Sequence, residues 1–167
     1  MQGLVDWFIN ALHGIPGEWI ALIISMVPLL ELRGGLLAAS LLGVDILKAV
    51  PLCIIGNILP IPLILLFITP IFTALKKTRL FRPLVEKLEK KAMSKSDKIE
   101  KGYFWGLALF VGIPLPGTGA WTGSLIAAML NIPFKKAFPA ILLGILIATV
   151  IMALISYGLL GAIMNAF

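Results

Sequence analysis

Glu31 and Arg33 stand two residues apart in Leu30-Glu31-Leu32-Arg33-Gly34-Gly35, opposite charges set between apolar stretches. An ionised side chain at membrane depth costs about 2.5–3.5 kcal/mol on insertion scales, so such a pair implies a use. One use is mutual neutralisation, which needs a non-helical turn because residues two apart do not face each other along a regular helix. The other is recognition. Gly34-Gly35 is expected to open one short helix and Thr118-Gly119 another, each presenting free backbone N–H groups and a positive dipole end to the membrane interior. A phosphate or carboxylate could sit between these breaks, with Arg33 as the charged donor and Thr118, Trp121 and Thr122 lining the far side. Glu31 would then be the group that exchanges a proton during a cycle. Asn57 is a further polar candidate, read first as a hydrogen bond between helices.

Other chemistries are excluded by what the chain lacks. His13 is the single histidine and Cys53 the single cysteine, which leaves no metal-ligand cluster, no disulfide and no serine–histidine triad. The glycine spacings lack the strand context and the lysine of a phosphate-binding loop. No metal, cofactor, nucleic-acid partner or enzymatic activity is expected.

These residues sit in a chain of 167 residues that is 60% hydrophobic and 13% charged. With a mean hydropathy of +1.05, that is more apolar surface than one soluble domain can bury, so the class is integral membrane. The length allows one domain, too small for a dozen spans, and predicts a homo-oligomer. The charge-free runs Ala49–Leu75 and Ala137–Phe167 are long enough to cross. Trp19–Leu30 and Gly34–Val44 are too short, and Gly102–Phe134 is broken by Pro114-Leu115-Pro116-Gly117-Thr118-Gly119. Half-length helices are expected there. Met1–Leu12 reads as a short interfacial helix.

From Lys76 to Lys101 ten basic residues face four acidic ones, and ten minus four gives +6, the net charge of the whole protein. The positive-inside rule makes this segment cytoplasmic and the protein a multi-pass resident of the inner membrane. Within it Leu80, Phe81, Leu84, Val85 and Leu88 recur at three and four, which predicts an amphipathic surface helix from about Pro83. Lys87, Lys90 and Lys91 on that helix are candidates for contact with anionic headgroups.

Sliding the sequence by 88 residues matches Pro28 with Pro116, Gly35 with Gly123, Lys48 with Lys136, Pro51 with Pro139 and Gly56 with Gly144, among nine identities over positions 28 to 56. Each copy would hold a break, a short returning helix, a lysine-marked turn and one spanning helix. A unit with one net crossing inverts its successor, so the copies should be related by a two-fold axis in the membrane plane. The expected fold is therefore all-α, with two opposed re-entrant hairpins, spanning helices and the surface helix. Repeat one covers about 17–75, the basic loop 76–101 and repeat two about 102–167.

The segments Val27-Pro28-Leu29-Leu30-Glu31-Leu32-Arg33-Gly34-Gly35 and Pro114-Leu115-Pro116-Gly117-Thr118-Gly119-Ala120-Trp121-Thr122-Gly123 resemble the small multidrug export protein family, a relative of the DedA superfamily. The resemblance implies opposed re-entrant hairpins and membership among proteins linked to moving lipids such as undecaprenyl phosphate. Typical DedA proteins carry a longer arginine-rich motif after the second break, where this chain has Trp121 opposite Arg33 in the repeat. The leading expectation is a flippase or transporter of an anionic amphiphile, coupled to protons, with Glu31, Arg33, Gly34, Gly35, Thr118, Gly119, Trp121 and Thr122 at its site. Alternatives are a cationic-drug exporter that uses Glu31 directly, and a scaffold that binds lipids or partners without transport.

Overall fold

A computed structural model describes residues 14–78, 82–93, 102–115 and 117–158, and among them there is no strand. The N-terminal interfacial helix, His13, Lys95, Lys98, Lys101 and Pro116 fall outside these residues. The order is α1 (Gly17–Met26), α2 (Glu31–Leu41), α3 (Ile46–Ile58), α4 (Pro60–Lys76), α5 (Arg82–Met93), α6 (Tyr103–Gly112), α7 (Ala120–Met129) and α8 (Phe134–Ala153). A π-helical turn, Leu154–Gly158, extends α8.

Two helical stretches have the length and apolarity to cross a bilayer, Ile46–Ile68 with 23 residues and Phe134–Gly158 with 25. At about 1.5 Å per residue each exceeds the roughly 30 Å hydrocarbon core. Only 33% of each apolar window is buried inside the protein, so most of that surface is left for lipid. The first stretch starts earlier than its charge-free run because Asp45 caps it, accepting a 2.8 Å bond from the Leu47 N–H. Pro60 opens α4, a position where its missing N–H costs nothing. By contrast α1, α2, α6 and α7 have 10 or 11 residues and reach about half-way across.

Backbone geometry repeats at the spacing of 88 seen in the sequence. Helix α3 starts at Ile46 and α8 at Phe134, while α2 ends at Leu41 and α7 at Met129. The turn after each short helix closes in the same way, with left-handed φ of 68° at Gly43 and 53° at Asn131. The Val44 N–H then donates to Ala39 O and the Ile132 N–H to Ala127 O, each at 2.9 Å. The two matched glycines on the long helices also act alike. A methyl group at Gly56 would come 2.5 Å from the Leu22 carbonyl oxygen of α1, and one at Gly144 2.7 Å from the Ala108 carbonyl oxygen of α6. Both let a short helix lie directly on a long one, the close approach that small residues provide between membrane helices.

The core runs between the two copies, joining Leu32, Leu36 and Cys53 to Leu107, Ile126, Ile141 and Ile145. Cys53 is fully buried, as expected of a small apolar filler. The surface helix begins at Arg82, whose Nε donates to Glu86 at 2.8 Å, and it buries Val85 while Lys87 and Lys90 stay exposed. The π-turn is tied to the first copy twice: Ser40 donates to Ser156 O at 2.7 Å and Tyr157 donates to Val44 O at 3.0 Å.

Candidate functional site: two charges across two helix ends

Both breaks need left-handed backbone, and they need it at equivalent positions. Leu29 has φ 80° and Glu31 φ 51°, where the second copy has Gly117 at 74° and Gly119 at 140°. Glycine adopts this region freely, whereas a residue with a Cβ pays about 1–2 kcal/mol. The first break therefore stores strain under Glu31 itself, and strain of this kind concentrates at functional sites.

The turn at Glu31 projects its side chain onto the second break. The carboxylate accepts bonds from the backbone N–H groups of Ala120, to Oε2, and Trp121, to Oε1, both at 3.0 Å. These are among the orphan donors at the start of α7, which has Gly119 as its N-cap and no cap from its own side chains. Gly119 is held to glycine twice over, by its φ and because a Cβ there would overlap the Glu31 carboxylate.

Arg33 goes to the opposite kind of helix end. Its Nη1 donates to Leu115 O at 2.7 Å, and its Nη2 lies 3.2 Å from Ile113 O, 3.4 Å from Val111 O and 3.1 Å from Thr118 Oγ1. Val111 belongs to the last turn of α6, and Ile113 and Leu115 follow its end. The acidic residue thus meets the positive end of α7 and the basic residue the negative end of α6, with each charge matched to a helix dipole. Thr118 stitches the loop, its hydroxyl lying 2.9 Å from Ile113 O and 2.8 Å from Leu115 O. Glu31 and Arg33 are 6% and 8% exposed, so these bonds form largely out of solvent.

Two sequence expectations are corrected here, and a third is tested at one atom. Glu31 and Arg33 form no direct ion pair; they are bonded on opposite sides of the second break. Gly34 and Gly35 do not open a helix, because α2 already starts at Glu31 and the Gly34 N–H donates to Leu30 O at 2.8 Å. They serve packing instead: a Cβ on Gly34 would press on Leu30 and Ile24, and one on Gly35 would overlap Ser25. Asn57 is 2% exposed and its Oδ1 has no hydrogen-bond partner among the described residues, so the expected bond between helices is absent from that atom.

Trp121 contributes its backbone N–H to the site, while its buried indole Nε1 has no partner there. Thr122 lies one residue further into α7, partly buried. Of the headgroup candidates, Lys87 and Lys90 are exposed on α5, and Lys91 belongs to the same helix. The carbonyls of Val111, Ile113 and Leu115 and the Ala120 N–H escape a reading by residue type, since backbone groups carry no sequence signal. The one available clue was the order of charges, acid then base, facing a loop that joins a helix end to a helix start.

Short helices meeting at two breaks, long apolar helices beside them and two buried charges at the junction mark a helical membrane protein with a buried polar centre. The family model described as "Putative small multi-drug export protein" matches residues 31–151, and the chain belongs to that family. The match begins at Glu31, the last residue of the first break, and takes in the whole of the second. No curated protein and no solved structure matches the chain.

Proposed function

We propose that the protein exports an amphiphile bearing an anionic group, such as a lipid phosphate, through the junction of the two breaks. The observation that carries this reading is the Glu31 carboxylate on the N-terminus of α7. Two convergent backbone N–H groups at a helix start select an anion, and the protein's own side chain holds the place. Protonation of Glu31 weakens its claim on those donors and lets a substrate anion take them, which couples substrate entry to a proton. Arg33 keeps the loop of the second hairpin in register meanwhile, with Gly34 and Gly35 giving α2 close seating and Gly119 giving the carboxylate room.

The same proposal takes the two copies as opposed re-entrant hairpins of inverted topology, as in the DedA superfamily, with alternating access about their junction. It puts residues 76–101 in the cytoplasm of a cell with the protein in its inner membrane, and takes the working unit as a homo-oligomer. No chemical transformation is assigned.

The family description, small multi-drug export, supports a second reading as a drug exporter; we take its substrates as cationic compounds, with Glu31 leaving α7 to meet the cation. Flux into proteoliposomes separates the two. With Glu31→Gln the anion reading expects flux that no longer responds to a pH gradient and inhibition by phosphate analogues. The cation reading expects loss of dye export with no effect of those analogues. Arg33→Ala that remains folded and exports at the wild-type rate would remove arginine from the mechanism. If neither substrate class moves, and neutralising Lys87, Lys90 and Lys91 impairs the cell more than changing Glu31, the protein is a lipid-binding scaffold.

A further inference from the structure

The duplication supplies an internal control for charge. In the first copy Lys48, in the first turn of α3, pairs with Glu18 of α1 at 3.5 Å, and Asp45 caps the helix start. At the equivalent place in the second copy Lys136 and its neighbour Lys135 open α8, both exposed. Glu18 is the second residue of α1, where α6 has Phe104 as its second residue, and position 133, which matches Asp45, is proline with no side-chain cap. Both acids are gone and a second lysine has been added.

A cleft of about 440 Å³ occupies this spot, lined by Tyr103, Phe104 and Trp105 of α6 and by Lys135, Lys136 and Pro139 of α8. Among the described residues no acidic side chain lines it. The three aromatic side chains are 40–64% exposed, and two of them are the tyrosine and tryptophan that concentrate where hydrocarbon meets headgroups. Both lysines are exposed at the start of the apolar stretch Phe134–Gly158, a place where a lysine stem can lie along apolar surface and keep its ammonium group in water. The cleft also follows directly on segment 76–101, which carries ten basic and four acidic residues.

We infer that the cleft between the start of α6 and the start of α8 is a binding site for the phosphate headgroup of an anionic membrane lipid. Lys135 and Lys136 bind the phosphate in place of the acids that balance the first copy, and the aromatic wall receives the glycerol and upper acyl region. The lipid holds α6 against α8 from outside. This site is distinct from the junction of the breaks and stands whether or not the proposed substrate is correct.

Native mass spectrometry of the full-length protein, offered phosphatidylglycerol and phosphatidylcholine of equal chain length, tests it. Wild type should retain phosphatidylglycerol preferentially. A basic side chain near an anionic surface is worth about fivefold in affinity, so Lys135→Gln/Lys136→Gln should lower that retention about thirtyfold. Lys48→Gln, which removes the lysine already paired with Glu18, should leave it unchanged. Both variants change exposed residues, and an unaltered thermal midpoint verifies their folding. Equal retention of the two lipids overturns the inference, as does an equal loss in Lys48→Gln. Displacement of the lipid by millimolar inorganic phosphate would show a free-ion site and overturn the lipid assignment.

Discussion

Glu31 combines a strained backbone with a buried carboxylate, and the two are linked. A right-handed φ at residue 31 would continue the preceding turn and carry the side chain away from α7, whereas φ 51° delivers it to Ala120 and Trp121. Leu29 carries similar strain with no such return, since its side chain is 77% exposed and the matching residue is Gly117. Leu29→Gly should therefore stabilise the protein by about 0.5–1 kcal/mol, read as a raised thermal midpoint in detergent. Gly119→Ala has the opposite expectation. It forces a Cβ into φ 140° and into the Glu31 carboxylate, so a loss of about 1–3 kcal/mol follows from the backbone strain alone. Pairing it with Glu31→Ala should recover only the steric part, so the double variant should lie between Gly119→Ala and wild type after correction for Glu31→Ala.

At the scale of elements, the short helices owe their placement to glycines on the long ones. Gly56 admits α1 and Gly144 admits α6, each where a Cβ would press on a carbonyl of the short helix. Gly144→Leu should pry α6 from α8 and draw Val111 and the following carbonyls away from Arg33, lowering the thermal midpoint and exposing Arg33 together. Gly43 has open space at its Cβ position, so Gly43→Asn, which restores the residue of the matching turn, should change stability by less than about 1 kcal/mol. Much of this layout was legible in sequence, because prolines, glycines and lysines in register marked the turns and helix starts that recur at a spacing of 88, and the apolar lengths separated the two long candidate spans from the shorter helices. What stayed hidden has physical reasons. Glycine reads equally as a helix opener and as a packing contact, which misplaced Gly34 and Gly35. The left-handed turn at Glu31 is made by residues that rarely adopt it, so no local preference announces it. Arg33 is bound by carbonyls, which every residue possesses.

For the whole molecule, the remaining question is how the two copies sit across the bilayer, and it has a direct test. The proposed topology has the two short helices of each copy enter and return and its one long apolar stretch cross, so that passage through a copy changes side once. If so, Leu47 and Lys135, equivalent positions at the starts of α3 and α8, lie at opposite membrane faces. Both are exposed, Leu47 at 82%. In a Cys53→Ser background, Leu47→Cys and Lys135→Cys give two single-cysteine proteins that differ only in which copy carries the thiol. A membrane-impermeant maleimide added to intact cells should label Leu47→Cys, with Lys135→Cys labelled only after lysis. Labelling of both from the same side would mean parallel copies, and the charges at the junction would then have to be explained without alternating access. The cross-copy bonds of Glu31 and Arg33 survive either result; what they gate does not.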